Sequence, residues 1–101
     1  MGTNVTLQAA DGHRFSAWLA EPSGPPRGGL VVLQEIFGVN HHIRAVTAAF
    51  AAEGYLAIAP ALFDRARPGV DLPYDDLDAG RQVMMSLDRA NTVRDMRAAV
   101  E

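Results

Sequence analysis

Leu30-Val31-Val32-Leu33-Gln34-Glu35-Ile36-Phe37-Gly38-Val39-Asn40 is the stretch whose reading decides the fold. Four aliphatic residues run together without polar interruption, the pattern of a strand buried on both faces of a mostly parallel sheet. A carboxylate, Glu35, stands where that strand should end. An aromatic follows, then a glycine that frees the backbone, and Asn40 in the place of a helix cap. In open α/β sheets ligands bind in the crevice outside the carboxyl ends of the strands, so this junction is where chemistry is expected.

Downstream, Ile43, Val46, Thr47 and Phe50 recur at helical spacing and predict a helix ending at Gly54, with those four residues on its packed face. Tyr55-Leu56-Ala57-Ile58-Ala59, bounded by Gly54 and Pro60, reads as a second short buried strand. Strand, helix and strand then form a parallel crossover unit. From Pro60 to Tyr74 three prolines, Gly69 and two arginines predict a long irregular excursion of the kind that is either functional or mobile. Asp75 or Asp76 can cap a helix through about Leu87. Asp88 can cap another, running from Arg89 through Val93, Met96 and Val100 as its apolar line. No Gly, Asn or Pro closes that last helix before Glu101, so the chain is expected to be cut in mid-fold.

Upstream, Asn4 to Gln8 and His13 to Ala20 alternate as strands do, with Asp11-Gly12 as the turn of an antiparallel hairpin. Phe15, Ala17 and Leu19 share one face of the second strand; Ser16, Trp18 and Ala20 share the other, which puts Trp18 over an edge of the core. Pro22 to Gly29 is a surface connection.

The 101 residues make at most one small domain, and 49% hydrophobic residues is a globular composition. A net charge of -3, with nine basic residues scattered among twelve acidic ones, argues against nucleic acid as a partner. No apolar run approaches the roughly 20 residues that span a bilayer, so no membrane partner is expected. No signal peptide is visible after Met1, and the cytoplasm is the default location. The chain has no cysteine, which excludes disulfides and thiolate metal sites within it.

Among residues able to carry chemistry, Glu35 leads by its position at a strand end. Arg65, Arg67 and Arg81 could hold an anionic group through paired guanidinium hydrogen bonds; Arg65 and Arg67 are read as solvated loop arginines. His41 and His42 adjoin at a helix start, where successive side chains diverge, and His13 flanks the hairpin turn, so no metal site is expected. Ser16, Ser23 and Ser86 lack the Gly-x-Ser-x-Gly setting of a nucleophile. Gly38-Val39-Asn40 is too short for a nucleotide-binding loop.

The run Gln34 to Asn40, with Gly54-Tyr55 and Ala59-Pro60-Ala61-Leu62-Phe63 behind it, resembles the dienelactone hydrolases (carboxymethylenebutenolidases) of the α/β-hydrolase superfamily. The likeness extends from Asp11-Gly12 through the last helix and covers only the family's N-terminal part. It implies an α/β fold made of a hairpin, a parallel βαβ unit and two further helices, with an incomplete sheet. Residues 1–101 would be a single partial domain ending before the nucleophile turn. The implied activity is ester or lactone hydrolysis through an acyl-enzyme, without a cofactor. By the resemblance Glu35 activates the nucleophile and the Ile36 backbone N–H is one oxyanion donor. Phe37 lines the substrate pocket, and Arg81, one residue offset from the family's position, holds a substrate carboxylate.

Because the nucleophile, Asp and His of the triad fall beyond residue 101, the chain alone is expected to be inactive. Its expected partners are a small-molecule ester or lactone in the full-length parent, and the missing C-terminal half or another protein chain. In the alternative reading it is a non-catalytic truncated or split module that binds a partner, or itself, through an open sheet edge.

Overall fold

The computed structural model describes residues 2–100. The order is β1 (Thr3–Gln8), β2 (Arg14–Ala20), β3 (Gly29–Val31), α1 (His41–Ala52), β4 (Leu56–Pro60), a 3-10 turn (Leu62–Arg65), α2 (Leu77–Ser86) and α3 (Arg89–Val100). The strands form one mixed sheet in the order β1-β2-β4-β3, antiparallel except for the β3–β4 pair. The hairpin, the parallel crossover and the two later helices thus stand where the sequence places them. The expected end of the last helix at Glu101 lies outside the described residues.

β3 differs from expectation. Its ladder covers three residues, extended by one bond from the Val32 amide to the Ile58 carbonyl at 2.8 Å. Leu30 and Val31 are half-buried rather than buried, and Leu33 is 53% exposed. The cause is topological. β3 is an edge strand with β4 as its neighbour, so among the described residues nothing pairs its far side.

Register sorts the sheet into two faces. Ala20 opposes Ala57, Trp18 opposes Ala59 and Leu30 opposes Ala57, so these five share one face. That face receives α1, whose Arg44 guanidinium lies 5.2 Å from the Trp18 ring. Ala20, Ala57 and Ala59 are fully buried, and their small side chains let the helix settle close to the strands. The buried line of α1 is Ile43, Thr47 and Ala51. Phe50, expected on that line, is instead 42% exposed: against a floor of alanines, Ala51 fits the close approach and the bulky ring is left at the rim. Thr47 is buried without penalty because its hydroxyl donates to the Ile43 carbonyl at 2.7 Å.

The opposite face carries Val5, Leu7, Phe15, Ala17, Leu19, Ile58 and Val31. Here α3 crosses. Of its expected apolar line of Val93, Met96 and Val100, Met96 alone is half-buried. Val93 and Val100 are exposed, and its one buried residue is Asp95, flanked by half-buried Asn91, Thr92, Ala98 and Ala99. The helix is rotated because Asp95 meets Arg65, which donates to both its carboxylate oxygens at 2.9 Å. Arg65 is accordingly not a solvated loop arginine. The excursion after β4 is also better tied than expected, since buried Asp64 accepts hydrogen bonds from the Ser16 amide and hydroxyl at 2.9 Å and from the Gly69 amide at 3.1 Å.

Candidate active site

The loop after β3 is built from short-range bonds. Gln34 donates through Nε2 to the Glu35 carbonyl at 2.9 Å and accepts at Oε1 from the Phe63 amide at 3.3 Å, so it couples the loop to the 3-10 turn. The Glu35 carbonyl also accepts from the Gly38 amide at 3.2 Å, closing a tight turn over residues 35–38. Gly38 has φ +94°, and a Cβ there would stand 2.0 Å from the Val70 carbonyl oxygen, so the position admits only glycine. On the other side of the loop, a Cβ on Gly80 of α2 would stand 2.4 Å from the Ile36 carbonyl oxygen. Two glycines therefore let the 35–38 turn nest between the 70–71 backbone and α2. Asn40 then caps α1, accepting from the Ile43 amide at 3.1 Å, and donates to the Tyr74 hydroxyl at 3.2 Å.

This turn forms one wall of a cavity of about 440 Å³, a size that suits a small organic ligand. Glu35 and Ile36 stand on that wall. Leu62 and Phe63 of the 3-10 turn, Met84 of α2 with Leu87 just beyond it, and Arg89 and Thr92 of α3 complete the lining. Glu35 is exposed and lines it, but stands in the turn beyond β3, whose ladder ends at Val31, rather than at the strand end that the sequence predicts. The Ile36 side chain packs against the cluster of Phe63, Val70 and Val83, while among the described residues its backbone N–H makes no hydrogen bond.

The other two expected site residues stand elsewhere. Phe37 is half-buried and meets the Tyr74 ring edge-on, centroids 4.7 Å apart, away from the cavity wall. Arg81 is exposed on α2 with Asp78 at 4.0 Å, and is not part of the lining. The cation on the cavity wall is Arg89, which sequence reasoning missed, together with Thr92 and the bridging role of Gln34. The local signal near Arg89 is the Asp88 cap just before it, which marks the break between two helices. Among the described residues no group of three or more His, Asp or Glu side chains has metal-binding geometry.

Glu35 can take a hydrogen bond or a proton, and the Ile36 backbone donor next to it can stabilise a developing negative charge, with an apolar cavity in front of both. The family model "Dienelactone hydrolase family" matches residues 15–101. The chain belongs to the dienelactone hydrolase family. It is 33% identical over 99 residues to the carboxymethylenebutenolidase of Pseudomonas putida, an overlap covering 95% of this chain and 42% of that enzyme. It is 51% identical over 71 residues to a candidate carboxymethylenebutenolidase of Azospirillum brasilense, covering 69% of this chain and 31% of that one. The crystal structure of a candidate dienelactone hydrolase from Klebsiella pneumoniae superposes with a TM-score of 0.73 at 31% identity, covering 97% of this chain and 42% of that chain. The chain therefore spans well under half the length of these relatives and represents part of their α/β-hydrolase fold.

Proposed function

We propose that this chain supplies the oxyanion-loop portion of an ester or lactone hydrolase that works through an acyl-enzyme, in a partial domain that ends before the nucleophile turn. The observation that carries the reading is the pairing of Glu35 with the Ile36 N–H on one wall of the cavity. Glu35 would take a hydrogen bond or proton from the incoming nucleophile, and the Ile36 amide would donate to the developing oxyanion. Phe37 acts from behind the loop, steadying it through Tyr74. Arg89 takes the anion-holding place assigned by sequence to Arg81, because it is the arginine that lines the cavity.

The test is hydrolysis of a lactone by the complete polypeptide read from the gene, compared with its Glu35→Gln variant and with the 101-residue chain alone. A fall in kcat/KM of at least about a hundredfold on Glu35→Gln, the lower range for a lost general base, is expected, and no saturable hydrolysis from the short chain. Unchanged kcat/KM in Glu35→Gln would overturn the role of Glu35. Saturable turnover by the short chain would overturn its dependence on a missing half.

A second reading is favoured by one observation. An apolar groove of about 580 Å³ runs over Val5, Leu7, Leu19, Val31, Leu56 and Ile58 beside the end of α3, next to the unpaired edge of β3. Bare strand edges and apolar faces recruit partners, so the isolated chain would self-associate or bind a further polypeptide there. Sedimentation of the 101-residue chain as a monomer at high micromolar concentration would count against self-association.

A further inference from the structure

We propose that Arg65 is the positioning residue of the Glu35 cavity: it clamps the 3-10 wall to the α3 wall and ties both to the hairpin turn. Its guanidinium uses its fork on two carboxylates at once. Nε donates to Asp95 Oδ2 and Nη2 to Asp95 Oδ1, both at 2.9 Å. Nη1 donates to Asp11 Oδ2 at 2.8 Å and Nη2 to Asp11 Oδ1 at 2.9 Å. One side chain thus joins its own turn to two segments, 54 and 30 residues away from it.

The placement gives the clamp its meaning for the site. Arg65 ends the 3-10 turn that presents Leu62 and Phe63 to the cavity. Asp95 lies one turn after Thr92 and two turns after Arg89, the α3 residues on the facing wall. Asp95 is also the one fully buried residue of α3, whose apolar Met96, Ala98 and Ala99 are only half-buried. The neighbouring Asp64 holds the same turn from the opposite side, through the Ser16 amide and hydroxyl. The dipeptide Asp64-Arg65 therefore sets the spacing between β2, the 3-10 turn and α3, and with it the width of the cavity. Only a guanidinium can do this, because two bidentate carboxylate contacts need a planar fork rather than a point charge.

The inference rests on the reading of this cavity as the substrate site, but its test does not. The chain has no cysteine, so Ala66→Cys and Ala90→Cys, at exposed positions beside the two walls, take nitroxide labels cleanly. Electron–electron dipolar spectroscopy then reads the distance between the walls in the otherwise natural chain, in Arg65→Lys, and in Arg65→Met combined with Asp95→Leu, which replaces the ion pair with apolar bulk. A single narrow distribution is expected for the natural chain, and at least a doubling of its width in both variants with helical circular dichroism retained. A pair that merely stabilised the fold would lower the melting temperature and leave the width unchanged, and that result would overturn the proposal. A measurement without those substitutions stands beside it: the Arg65 Nε–H in the natural chain should give a resolved, slowly exchanging NMR signal, and fast exchange would overturn the clamp even where a variant fails to fold. Broadened distances together with unchanged hydrolysis by Glu35→Gln would keep the clamp and remove the catalytic reading.

Discussion

The two helices that lie on opposite faces of the sheet are held there by different physics. α1 sits on Ala20, Ala57 and Ala59 through Ile43, Thr47 and Ala51, a contact made of close apolar packing with one internally bonded hydroxyl. α3 crosses the other face and buries a carboxylate, with Val93 and Val100 left exposed and large aliphatics of the sheet lining an open groove beside it. Packing of the first kind is insensitive to charge and intolerant of added volume. Attachment of the second kind tolerates volume and depends on a charged partner. The closed face is covered by α1 over Ala20, Ala57 and Ala59. The open one carries aliphatic surface of the kind that relatives more than twice as long have further chain to cover.

The largest expected effect breaks the α3 side. Arg65→Met strands Asp95 as a buried unpaired charge, a change that costs about 3–5 kcal/mol. Hydrogen exchange should show α3 losing protection while α1 keeps it, and the urea midpoint should fall. Equal loss across both helices would mean that the two faces are one cooperative unit rather than two attachments of different kind.

Next comes overpacking of the closed face. Ala59→Leu forces three extra carbons between β4 and α1 and should destabilise by about 1–3 kcal/mol, read by chemical denaturation. Ala57→Leu should behave alike, since Ala57 shares its face and its complete burial.

A third contrast is in pH. Hydrogen bonds from Arg65 hold the Asp11 carboxyl well below its ordinary value of 3.8. A depressed folded pKa means that the unfolded chain binds more protons in acid, so this contribution is complete above pH 3.8 and is lost as pH falls through the folded value. The urea midpoint should drop as pH falls from about 4 to about 2, and Asp11→Asn should shrink that drop. The effect should show in α3 protection and spare α1.

What the sequence made legible follows from how local each determinant is. The hairpin, the helix starting after Asn40 and the caps at Asp76 and Asp88 rest on neighbours within a few residues, and all are found where local patterning puts them. What escaped depends on distant partners. Asp95 is indistinguishable by spacing from a solvated helical acid until Arg65, 30 residues earlier, is seen beside it. The placing of Arg89 rather than Arg81 on the cavity wall is set by the angle between α2 and α3, which no single helix encodes. The burial of β3 was misjudged because an aliphatic run reports what a strand prefers to touch, while its exposure depends on which neighbours the sheet supplies.

The smallest expected effect is the sharpest test of the difference between faces. Leu56 belongs to the same short strand as Ala57 and Ala59, yet it is 38% exposed and lines the open groove. Leu56→Gln removes apolar surface that this chain only half covers, so it should change stability by no more than about 0.5 kcal/mol, the range of ordinary surface positions. In the complete polypeptide, where further chain would lie over that groove, the same substitution would bury an unmatched amide and cost about 1–3 kcal/mol. The ratio of the two losses therefore measures directly whether the open face is surface or an unfinished core. Equal, small losses in both contexts would mean that the groove stays open to solvent in the whole protein, and that the asymmetry between α1 and α3 is a permanent feature of the fold.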